Sequence, residues 1–158
     1  MKRISVLLAD DHRIVAEGLK RLVETEFELA GIVEDGRALL AAAKELKPDV
    51  IISDITMPEL NGVEALEELK KVNPDVRLVF LTMHHNTAYA RRALDAGALG
   101  YVLKHSATEE LIMAVRAAAM GQTFVSPAIA GELMQAMRDG GEAVADPVSK
   151  LTLRQREI

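Results

Sequence analysis

Cysteine is absent from all 158 residues, which excludes disulfides and thiolate-held metal centres. No apolar run approaches the roughly 20 residues that a membrane-spanning helix needs. The opening MKRISVLLADD resembles a signal peptide only at its front. Its apolar stretch is about six residues and ends in acids, which predicts a cytoplasmic address. Positive charge is also short: 19 Lys and Arg stand against 24 Asp and Glu. The resulting net charge of −5 makes the chain a poor binder of polyanions. What is present is 49% hydrophobic and 27% charged, the balance of a folded globular protein. The length allows one domain with a sizeable core and a short appendage.

Short apolar runs recur along the chain: ISVLLA (4–9), LAGIV (29–33), VIISD (50–54), VRLVFLT (76–82) and GYVLK (100–104). Runs of this kind without clean alternation suit parallel strands buried on both faces. Helical periods lie between them. Val15, Leu19, Leu22 and Val23 share one face, with Arg13, Glu17, Lys20 and Arg21 turned away. Leu39, Leu40, Ala43 and Leu46 form a second face, stopped by Pro48. Val63, Leu66, Leu69 and Val72 form a third, stopped by Pro74. A fourth helix is expected from Thr87 to Ala96, ended by Gly97, and a fifth from Thr108 to Gly121. Strand–helix repeats of about 25 residues imply an α/β fold with right-handed crossovers. Five of them suit a five-stranded, doubly wound parallel sheet of order 2-1-3-4-5, the flavodoxin-like arrangement, and are too few for an eight-fold barrel.

In such a sheet, ligands bind beyond the carboxyl ends of the strands, where the strand order reverses. Asp10 and Asp11 end the first run, Asp54 the third, Thr82 the fourth and Lys104 the fifth. Each has a bland reading: a helix N-cap for either aspartate of the pair, a turn former for Asp54, a β-former for Thr82, solvated surface for Lys104. Their joint placement at four strand ends favours a site. Clustered acids make a hard oxygen site, suited to Mg²⁺ bound through few carboxylates, waters and phosphate oxygens. An aspartate can attack phosphorus and carry an acyl phosphate, and Asp54, alone at its strand end, is the expected acceptor. Pro58 and Gly62 shape the loop after it, which lets the Thr56 carbonyl turn inward as a metal ligand.

The acidic pair, "SDITMPELNG", "LTMHH" and "GALGYVLK", in that order over about residues 3 to 122, resemble a response-regulator receiver domain of the LuxR/NarL type. The resemblance implies the phosphoacceptor half of a two-component system, phosphorylated on Asp54 by a sensor histidine kinase and not an enzyme beyond its own phosphorylation and dephosphorylation. It implies Mg²⁺ on Asp11, Asp54 and the Thr56 carbonyl, with Asp10 holding the ion through water. Lys104 would pair with the phosphoryl group, Thr82 would bond it as the switch hydroxyl, and Tyr101 would swing inward with Thr82. Two positions depart from the common pattern: Met83 follows the threonine where a small residue is frequent, and His105 follows the lysine in place of proline. His84 and His85 read as a loop beside the phosphate in preference to a metal site. On the first helix, Ile14 lies off the buried face beside Gly18, a possible kinase contact as well as a possible peripheral core contact.

The pattern changes after residue 122, so residues 1–122 are expected to be the receiver and 123–150 a linker. Within it, SPAIAGELMQAM predicts a helix at about 126–138, with Ser126 as cap, Pro127 first, and Ile129, Leu133, Met134 and Met137 on one side. That side could dock on its own domain or on a second chain in a homodimer. RDGGEAVADPVSK reads as a flexible stretch. LTLRQREI (151–158), with Thr152 and Gln155 as a capping box, resembles the opening of a LuxR-type helix-turn-helix domain, so DNA would be read by residues beyond those present. The residues fit two other classes poorly. A haloacid-dehalogenase-like phosphatase needs a second acid two residues after the nucleophile, where Thr56 stands. A nucleotide-binding module wants a glycine-rich loop after the first strand, where ADDHRIV offers acids.

Overall fold

The structure is a computed structural model that describes residues 3–10, 13–54, 62–82, 87–103 and 108–139, with the backbone alone at 13–16, 87, 89, 136, 137 and 139. In chain order the elements are β1 (Ser5–Ala9), α1 (Arg13–Glu26), β2 (Glu28–Val33), α2 (Gly36–Leu46), β3 (Val50–Asp54), α3 (Gly62–Val72), β4 (Leu78–Thr82), α4 (Thr87–Asp95), β5 (Gly100–Leu103), α5 (Thr108–Ala119), β6 (Phe124–Val125) and α6 (Pro127–Asp139). The strands form one sheet of order β2-β1-β3-β4-β5-β6, parallel throughout.

Period-two alternation along the buried strands splits the core into two halves. Leu7 and Ala9 of β1, Ile51 of β3, Leu78 and Phe80 of β4 and Tyr101 and Leu103 of β5 join Leu39, Leu66, Leu69, Ala90 and Ala93 from α2, α3 and α4. The intervening residues, Val6, Leu8, Val50, Ile52, Val79, Leu81 and Val102, meet Val23 and Phe27 at one end and Leu111, Ala114, Val115 and Ala118 from α5. Each central strand is therefore apolar on both faces, which is why its sequence reads as a continuous run and not as an alternation.

The helix stops are physical, and two of them are glycines. Gly97 has φ of 107°, donates to the Leu94 carbonyl, and lets Ala98 N–H reach the Ala93 carbonyl. Gly121, with φ of 75°, repeats the pattern on Ala118 and lets Gln122 reach Ala117. Both are left-handed C-terminal caps that satisfy orphan carbonyls. Asp35 caps α2 at its start by accepting the Ala38 N–H at 2.8 Å.

The sequence expectation of five strands needs correction. A sixth, the two residues Phe124 and Val125, extends the sheet beyond β5 within the stretch read as linker. It exists because the cap at Gly121 reverses the chain and lays an aromatic and a β-branched residue along the open edge of β5. The helix expected at about 126–138 is α6, and it docks on its own domain: Ile129 and Leu133 are buried in the same core half as α4. Leu46 and Val72, placed on buried helix faces from the sequence, are instead exposed, Val72 to 69%. Each lies in the last turn of its helix, Val72 at the rim of a cleft of about 720 Å³ between α2 and α3.

Candidate functional site

The register of the sheet sets the carboxyl edge. Ala9 pairs with Ser53, so Asp10 and Asp54 follow at the same level on neighbouring strands. Asp54 pairs with Leu81, and Thr82 pairs with Leu103, after which Lys104 comes next in sequence. Asp10, Asp54 and Thr82 are three of the four strand-end groups picked out from the sequence, and the parallel order brings them to one side of the sheet.

Burial separates this edge from an ordinary loop cluster. Asp10 is 1% exposed and Asp54 4%, and the Thr82 side chain is fully buried. Asp10 is tied in place by its backbone N–H, which donates to the Val33 carbonyl of β2 at 3.0 Å. Its Oδ2 is a buried oxygen with no hydrogen bond. Beside Asp54, the Ser53 hydroxyl donates to the Asp54 carbonyl at 2.8 Å and so fixes the last turn of β3.

Two buried carboxylates are hard oxygen donors, the type that Mg²⁺ takes. Among the described residues no three acidic or histidine side chains form a metal-holding group. The remaining ligands expected from the sequence, Asp11 and Thr56, lie outside the described residues, as do Lys104, Met83, His84, His85 and His105. The side chain of Ile14 is likewise outside them, while Gly18 is exposed on α1 and a Cβ built there meets nothing within 4 Å.

Tyr101 is fully buried, in the core half that holds Ala90 and Ala93 of α4 and Ile129 and Leu133 of α6. Its ring therefore lies inward in this structure, covered from the α4–α6 side. Sequence reasoning treated Ser126 as a simple helix cap and missed its second contact. Ser126 is fully buried, and its hydroxyl accepts the Leu103 N–H at 3.1 Å. The strand-forming pair Phe124–Val125 just before Ser126 and Pro127 was the signal that could have placed it.

Comparison with known proteins agrees with this geometry. Residues 6–116 match the family model for the response regulator receiver domain. The transcriptional regulatory protein DegU of Brevibacillus brevis is 37% identical over 138 residues, which are 86% of this chain and 58% of DegU. The chain thus spans less than two thirds of that relative's length. A crystal structure of a LuxR-family two-component response regulator from Aurantimonas sp. SI85-9A1 is 33% identical and superposes with a TM-score of 0.83, covering 87% of this chain and 99% of that one. The isolated receiver of RcsB from Salmonella enterica serovar Typhimurium, solved with the phosphomimetic BeF₃⁻, is 30% identical with a TM-score of 0.75, covering 84% and 99%. RcsB has also been solved in complex with DNA, at 29% identity and a TM-score of 0.77, covering 85% and 69%. The phosphatase alternative gains no support from these similarities. With the match spanning all five repeats of the sheet and the acidic edge among them, the chain belongs to the response regulator receiver domain family.

Proposed function

We propose that this chain is the phosphoacceptor module of a two-component transcriptional regulator, and that Asp54 takes a phosphoryl group from a sensor histidine kinase. The supporting observation is the burial of Asp10 and Asp54 at the ends of neighbouring central strands, with the Thr82 hydroxyl at the next strand end. Domains of this family are generally Mg²⁺-dependent and are not enzymes in their own right. Asp10, Asp11, Asp54 and the Thr56 carbonyl would hold the ion, which supplies neutralisation of charge on the phosphoryl oxygens.

The chain's own groups account for the rest. One Asp54 carboxylate oxygen attacks phosphorus, the bond from phosphorus to the kinase histidine nitrogen breaks, and its electron pair returns to the imidazole. The product is an acyl phosphate on Asp54. The Lys104 ammonium pairs with the phosphoryl oxygens and the Thr82 hydroxyl donates to one of them. Burial of Asp54 limits water at the acceptor and keeps it at a fixed strand end, so little reorganisation accompanies the transfer. The proposed division is a receiver over residues 1–122, a connecting segment over 123–150 whose β6 and α6 pack on that receiver, and the start of a helix-turn-helix domain at 151–158. DNA would be bound through that domain, as RcsB binds DNA.

Intact mass after incubation with acetyl phosphate and Mg²⁺ tests the assignment. The wild-type chain gains one phosphoryl mass, and Asp54→Ala gains none. Labelling of Asp54→Ala at the native rate on another acid would overturn the choice of acceptor.

A further inference from the structure

The ladder between β5 and β6 ends in an exchange of acceptors. Phe124 N–H donates to the Leu99 carbonyl at 2.9 Å and Ser126 N–H to the Tyr101 carbonyl at 3.0 Å. In a parallel ladder, the residue that donates to Tyr101 accepts, through its own carbonyl, from Leu103. Here the Ser126 carbonyl instead accepts from Ile129 and Ala130, both at 3.0 Å, and so starts α6. The Ser126 hydroxyl takes the vacated place in the ladder and accepts the Leu103 N–H at 3.1 Å, in a fully buried position. One residue is thus the last rung of the sheet and the N-cap of α6.

Leu103 is the neighbour of Thr82 across the sheet and directly precedes Lys104 in sequence. On the other side of Ser126, α6 presents Ile129 and Leu133 to the core half that holds α4 and Tyr101. Alanine at position 126 would keep the backbone bonds but leave the buried Leu103 N–H without its acceptor. We propose that Ser126 is a positioning residue that couples the phosphoacceptor edge to α6, so that a shift of β5 at Leu103 is passed to the helix through one hydroxyl. The proposal rests on the receiver reading given above. It assigns the transmission to Ser126 itself and not to apolar packing of α6 alone, since packing would survive loss of the hydroxyl.

Amide hydrogen exchange on the 158-residue chain, with and without beryllofluoride and Mg²⁺, tests this. In the wild type, the Leu103 amide and those from Ile129 to Leu133 should change exchange rate together, by about threefold or more. Ser126→Ala should keep the response at Thr82 and lose it across α6, and Ser126→Thr, which retains a hydroxyl, should restore it. A response of α6 in Ser126→Ala equal to that of wild type overturns the coupling. Where Ser126→Ala does not fold, the wild type still decides: an unchanged α6 beside a responding Thr82 and Leu103 overturns it. Failure of the wild type to label at Asp54 or to respond at Thr82 overturns the receiver reading first, and the coupling with it.

Discussion

Asp10 and Asp54 are nearly sealed from water at adjacent strand ends, and Asp11 follows Asp10 in sequence. Removing carboxylates from water is costly, and like charges side by side add repulsion, so such a set weakens the fold unless a cation offsets it. Asp11→Asn should therefore melt higher than the wild type in the presence of chelator, by about 1 kcal/mol or more of unfolding free energy. In saturating Mg²⁺ the order should reverse, because an ion bound to the native state stabilises it by an amount that grows with its occupancy. Paired thermal melts check both signs. A loss of stability in chelator would return the acid to a purely local structural role.

At the level of elements, one glycine that caps a helix and one inside a helix predict opposite outcomes for the same substitution. Gly97 sits at φ of 107°, and a Cβ there would lie 2.6 Å from Lys70 Cε. Gly97→Ala should destabilise the protein by about 1–2 kcal/mol, from backbone strain more than from the mobile end of the lysine. Gly18 lies inside α1 with open space around it, so Gly18→Ala should stabilise by about 0.5–1 kcal/mol. Urea melts of the two variants measure the contrast. The proposed kinase contact on α1 is at Ile14 and Gly18. Ile14→Ser should slow phosphoryl transfer from a histidine kinase several-fold and leave acetyl phosphate labelling intact. Equal slowing of both reactions would point to a folding defect.

For the whole molecule, charge decides. A net charge of −5, made more negative by about 1.5 to 2 on phosphorylation, disfavours the counterion release that drives attraction to DNA. This 158-residue chain should show no saturable, sequence-selective binding in a low-salt titration against operator DNA. Selective binding would place a DNA-reading element among these residues. On the proposed reading, a phosphoryl group at Asp54 would act at a distance, through Thr82, Tyr101 and the surface around α4 and β5, by shifting the population of arrangements that these elements adopt.

The strands and helices were legible because each central strand is apolar on both faces and each of the first five helices carries an apolar stripe, a local pattern that needs no partner to be read. The glycine stops at 97 and 121 were legible for the same reason, since a left-handed residue is a local demand. Convergence of Asp10, Asp54 and Thr82 on one edge followed once a parallel order was assumed, because parallel strands put all carboxyl ends together. The exposure of Leu46 and Val72 was not legible, as burial in a last turn depends on what packs over it and not on the residue's own period. Nor was the place of α6: one apolar side fits its own domain and a partner chain equally well until the fold offers a surface. Only the tertiary structure laid Phe124 and Val125 along β5, buried Tyr101 beneath the α4–α6 side, and turned the cap of α6 into a rung of the sheet. The β5–β6 rungs and the Ser126–Leu103 bond join residues more than twenty positions apart, and no local pattern encodes which distant backbone N–H a serine hydroxyl will meet.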